Sequence, residues 1–213
     1  VAHSLGVAPD MMLFKNTEQD GQEWGIYHKG SGNQIVTFLD DNSLGLDNSI
    51  FFNDTDPTSS VFTVGTATST NGDGDEMIGY LWTSIDGYSR FGIAYGSGQK
   101  DEGPFVWTGF RPAYVLTKGF NGTSSWANNA NYSIWDNKRS PGGWGGNYKN
   151  SPLYPDGVGN DENYNVDTAA SPVCEFHAHG FRYYTNHSYV NPYGKPFFYM
   201  AFAETPFKYA NSQ

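Results

Sequence analysis

The chain has 213 residues, 22 Asp and Glu against 12 Lys and Arg, and a formal charge of −10. It offers neither the basic stripe that a phosphate backbone needs nor the cations that an anionic membrane surface attracts, which argues against nucleic-acid and membrane partners. Its 15 Phe, 15 Tyr and 6 Trp, with 26 Gly and 11 Pro spread along the chain, combine strand formers with turn formers and predict an all-β fold without amphipathic helices.

In chain order, Pro9-Asp10 makes a turn into a buried strand over Met11 to Lys15. Thr17 to Glu23 is a polar hairpin loop, and Trp24 to His28 returns as the partner strand. Gln34 to Leu39 is a third strand, with Ile35, Thr37 and Leu39 on one face and Val36 and Phe38 on the other. Residues 40–58 read as loop, interrupted by the apolar triplet Ile50-Phe51-Phe52. Ser60 to Thr66 alternates like a strand, and Asn71-Gly72-Asp73-Gly74-Asp75 is a turn. Met77 to Trp82 is apolar throughout and is expected to run through the core. Gly87 to Tyr95 is a further strand.

The order then repeats. Gly6 to Lys15 aligns with Gly109 to Lys118, Trp24 to His28 with Tyr132 to Asp136, and Met77 to Trp82 with Phe197 to Phe202. Two β-rich copies, about 1–103 and 104–213, with no polar linker between them, predict one internally duplicated antiparallel β-sandwich, jelly-roll or lectin-like. Each copy is expected to contribute similarly to both sheets. The second copy holds a long loop, about 137–172, dense in Gly, Asn, Trp and Tyr.

Residues 101–115, Asp-Glu-Gly-Pro-Phe-Val-Trp-Thr-Gly-Phe-Arg-Pro-Ala-Tyr-Val, resemble the signature of an uncharacterised domain of bacteriophage structural proteins, tail fibres among them. Pro57 to Gly65 and Tyr199 to Asn211 are similar to the same family, so the likeness covers most of the chain. The resemblance implies a virion component at the particle surface, and it brings no catalytic or ligand residues with it.

Function must otherwise come from side-chain constellations. Trp126, Trp144, Tyr148, Tyr154 and Tyr164 gather in and around the second copy's loops among Asn and Gly. Sugar rings stack on such aromatic faces while amides and carboxylates bond the hydroxyls. These five are the candidate ligand-binding residues, and Trp144, flanked by two glycines on each side, is hardest to bury from its own loop. Glu175, His177 and His179 alternate as on one strand face and are candidate metal ligands, with His187 as a neighbour. Asp73 and Asp75 are candidate calcium ligands, although an acidic hairpin turn explains them without an ion. No cofactor is expected.

Catalytic motifs are absent: no Gly-x-Ser-x-Gly, no His-Glu-x-x-His, no phosphate-binding glycine loop, and no facing carboxylate pair. The expectation is a non-enzymatic virion structural protein, made in the host cytoplasm and displayed on the particle as a fibre, decoration or tail accessory. Its partners are other virion subunits, most simply copies of itself in a trimer. The alternative is a receptor-binding module gripping a host surface glycan. The lone Cys174 excludes an internal disulfide and fits synthesis in a reducing cytosol.

Overall fold

A computed structural model describes residues 1–120, 131–139, 152–155, 173–186 and 190–206, and residues 148–149 as backbone. The first sheet holds β1 (Met11–Asn16), β2 (Gly25–His28), β3 (Ile35–Phe38), β4 (Leu46–Asp47) and β5 (Met77–Trp82) in the order β4-β3-β2-β1-β5. A central sheet runs β6-β13-β8-β9, from β6 (Ser89–Tyr95), β8 (Pro112–Gly119), β9 (Ser133–Asp136) and β13 (Pro196–Ala203). The outer sheet runs β10-β11-β12-β7, from β7 (Phe105–Trp107), β10 (Tyr148–Lys149), β11 (Cys174–His177) and β12 (Gly180–Tyr183). Every pairing is antiparallel. The protein is an all-β sandwich.

Side-chain alternation along β13 shows how the layers stack. Phe198 and Met200 face the first sheet, where they join Met11, Ile26, Phe91 and Leu116. Phe197, Tyr199 and Ala201 face the other way and meet Val106, Cys174, Phe176, Phe181 and Tyr183 of the outer sheet. The central sheet is therefore apolar on both faces, which accounts for the continuous run Phe197-Phe198-Tyr199-Met200-Ala201. A third cluster covers the far side of the first sheet, where Met12, Phe14, Tyr27, Val36 and Phe38 pack on Phe51, Phe52 and Phe62.

The strands expected around β1, β2, β3 and β6 are all present, with Val36 and Phe38 on one face of β3 and Thr37 on the other. Four expectations are corrected. Ile50-Phe51-Phe52 is not loop but part of α1 (Ser49–Phe52), a single turn capped by the Asn48 side chain, which accepts from Ile50 N–H at 3.0 Å. Ser60 to Thr66 makes only one bridge, Ala2 to Val61; past it Gly65 and Thr66 donate their N–H groups to the Phe51 and Ile50 carbonyls of α1 instead of to a strand. That segment leads into α2 (Thr68–Asn71). Met77 to Trp82 is not a core strand: β5 is a sheet edge, with Ile78 and Tyr80 exposed at 44% and 46%. Finally, the two halves do not contribute alike to two sheets. β1 lies between β2 and β5 much as β8 lies between β9 and β13, but the two trios occupy different sheets. The outer sheet comes from residues beyond 104 alone, and β6 is the one strand before residue 104 in the central sheet.

His28 is locked between the first two layers. Its ring stacks on Phe198 at 4.5 Å; Nε2–H donates to the Tyr199 carbonyl at 3.2 Å, and Nδ1 accepts from Gly30 N–H at 3.0 Å. Complete burial lowers its pKa to about 3, against the small opposing effect of the Tyr199 carbonyl. Above pH 6.5 the ring is neutral folded or unfolded and stability is intact. Below 6.5 the unfolded chain gains a proton that the folded chain refuses until about pH 3, so this group should remove about 1.4 kcal/mol per pH unit. Urea unfolding at pH 7 and pH 5 should show this slope in the native protein and a shallower one in His28→Phe. Equal slopes would assign the acid sensitivity to other groups.

Candidate functional site

β7 is the free edge of the outer sheet, and its three residues alternate sharply. Val106 points into the core at 5% exposure, whereas Phe105 and Trp107 face out at 49% and 56%. Two residues apart on one strand, they put two open aromatic rings on the same face of the sheet. Trp107 is held rather than loose. The Arg90 guanidinium of β6 sits 5.3 Å from its ring centroid, and its charge also acts on the Tyr199 hydroxyl. Burial raises the Tyr199 pKa and Arg90 partly offsets that rise. Gly109 packs beneath the indole with φ of +86°, and a Cβ there would lie 3.1 Å from Trp107 Cη2.

The chain after β7 turns against the β11–β12 hairpin. Thr108 N–H and Gly109 N–H both donate to the His179 carbonyl, at 2.8 and 3.2 Å, and Thr108 Oγ1 donates to the Phe110 carbonyl at 2.6 Å. Arg111 then reaches Glu204 Oε2 at 2.8 Å and the Phe176 carbonyl at 2.9 Å, while Asn137 Nδ2 donates to Glu204 Oε1 at 2.8 Å. These bonds fix the walls of a cleft of about 620 Å³, lined by Asp86, Trp107, Gly109, Arg111, His179 and Thr205 among others. Its size suits a small ligand.

The predicted site residues are only partly brought together. Trp126, Trp144, Tyr164 and His187 lie outside the described residues. Tyr148 is in β10, opposite Glu175 of β11, so the loop strand and the predicted metal strand share the outer sheet. Tyr154 is buried at 7% exposure, which leaves little of its ring for stacking a ligand. Glu175 accepts from the Tyr184 hydroxyl at 2.8 Å and lies 3.2 Å from His177 Nε2, whose ring meets Phe105 edge-on at 5.5 Å. His179 does not continue that face. The strand ends at His177, Ala178 and His179 form the two-residue hairpin turn, and His179 faces the cleft instead. Among the described residues no three His, Cys, Asp or Glu side chains are placed to hold a metal. Asp75 is occupied as a hydrogen-bond acceptor, from Asn16 at 2.7 Å and Gln19 at 2.6 Å, and Asp73 is exposed on the turn.

Phe105 and Trp107 were missed as site residues, although the sequence carries the signal. Once Val106 is assigned inward, alternation turns both flanking aromatics outward.

Neither a curated protein nor a solved structure matches the chain. A family model described as a domain of unknown function, DUF7483, matches residues 1–206, and the chain belongs to that family.

Proposed function

We propose that this protein is a structural component of a bacteriophage particle, displayed at the surface as a fibre, decoration or tail accessory subunit, and that it works by contact with further subunits, copies of itself first. The observation that carries the contact role is β5. It is the outermost strand of the first sheet, and it exposes Ile78 and Tyr80 beside Trp82, whose ring stacks on Tyr80 at 6.0 Å. Isolated domains usually protect such an edge with Lys, Pro or a bulge, and β5 has none of these. The resemblance of residues 101–115 to phage structural proteins supports the setting. The shared order of the β2-β1-β5 and β9-β8-β13 trios supports an origin by duplication.

Light scattering of the purified chain should show an oligomer, and Tyr80→Lys should shift it towards monomer with little change in melting temperature. A native chain that stays monomeric at high concentration, or a variant that assembles unchanged, would remove β5 as the contact. A second reading, recognition of a host surface glycan without catalysis, is favoured by the exposed Trp107 beside its cleft.

A further inference from the structure

We infer that the Trp107 cleft is a subsite for one neutral pyranose ring, stacked on the indole and bonded through its hydroxyls by Asp86 and His179. This places and defines the glycan reading, and rests on it, while remaining independent of the contact role given to β5.

Three features select a sugar. A pyranose presents a flat C–H face and a rim of hydroxyls, so it needs a rigid aromatic plate bordered by polar groups. Trp107 is that plate: more than half exposed, fixed by Arg90 and seated on Gly109. Despite both contacts 56% of the residue stays exposed, so indole surface remains open to a ligand. Pre-fixing the indole also reduces the ordering cost of binding.

The rim chemistry narrows the class further. Arg111, the guanidinium that lines the cleft, is already engaged by Glu204 and the Phe176 carbonyl. Asp86 and His179 line the cleft, both are exposed, and neither side chain has a hydrogen-bond or ionic partner among the described residues. A carboxylate accepts from two vicinal hydroxyls, and an imidazole donates to or accepts from a third. That same carboxylate repels an acidic sugar or a phosphate, as does the chain's charge of −10. A neutral hexose or N-acetylhexosamine fits both the plate and the rim.

The test is saturation-transfer NMR and tryptophan fluorescence on the full chain with glucose, galactose, mannose and N-acetylglucosamine, each up to about 100 mM, which saturates a site with a Kd of about 1 mM. At least one sugar should bind. Trp107→Ala should weaken it by about 10-fold or more, the expected effect of losing an aromatic contact face. Asp86→Asn should weaken it less, and Trp144→Ala should leave it unchanged. Circular dichroism and melting temperature confirm that each variant is folded. Binding that survives Trp107→Ala but is lost in Trp144→Ala would overturn this site while leaving glycan recognition intact. No binding of any of the four sugars would overturn the subsite.

Discussion

Phe198→Ala is expected to destabilise the protein by about 3–5 kcal/mol, the usual range for emptying a fully buried Phe site. Phe198 has no exposed surface and lies where the first and central sheets meet. It stacks on His28 at 4.5 Å and on Phe120 at 5.8 Å, and meets Tyr132 at 6.1 Å. All three neighbours are themselves buried, so none can swing in from solvent to refill the space. For a chain of this size the loss corresponds to a drop of roughly 6–20 °C in melting temperature. Thermal and urea unfolding would check it, with Tyr193→Ala as the surface control, since that residue is 78% exposed. A loss below about 1 kcal/mol would mean that the two sheets do not depend on each other's packing.

Gly180→Ala should cost about 2–3 kcal/mol for a different reason, overpacking against backbone. A Cβ at Gly180 would stand 2.1 Å from the Val106 carbonyl oxygen and 2.9 Å from Phe105 Cζ. Phe105 can rotate away, but the carbonyl belongs to the β7–β12 ladder and moves only if the strands part. Parting them would loosen the Thr108 and Gly109 bonds to the His179 carbonyl, so those two amides should exchange faster with solvent. Gly74→Ala is the contrast. Its φ of +78° is strained for alanine, but nothing lies within 4 Å, so a loss nearer 1 kcal/mol is expected. Equal melting temperatures for native protein and Gly180→Ala would show that the β7 edge yields freely.

The sequence made the ordinary strands plain and hid the extraordinary ones. β1, β2 and β3 carry local patterns, alternation or a buried run between turns, and these survive in the fold. β5 and β13 look alike on paper, both unbroken apolar runs, yet β13 lies between two sheets and β5 lies at an edge. Nothing within six residues distinguishes the two, because exposure depends on which strands arrive from elsewhere. The same holds for Ser60 to Thr66, whose alternation was real but whose hydrogen bonds went to α1. At the site, counting loop aromatics directed attention to Trp144 and Tyr154, and Tyr154 is buried. Trp107 sat inside a motif valued for its resemblance, so its outward direction went unused. His179 was misplaced because strand periodicity was carried two residues past the point where the hairpin turns.

The position of β13 also governs when this protein can exist during synthesis. It is the last of the strands among the described residues, yet it separates β6 from β8 and contributes to two of the buried clusters. Between the appearance of β6 and that of β13 the ribosome must add about 100 residues, on the order of 5–20 s at ordinary elongation rates. Throughout that interval β6 lacks its ladder partner and β8 can pair on one side only, with β9, so Phe91, Val115 and Leu116 lack the cover that β13 brings. A nascent chain halted before residue 196 is therefore a sticky, unfinished object rather than a smaller version of the protein, and it is at this stage that a host chaperone has most to do.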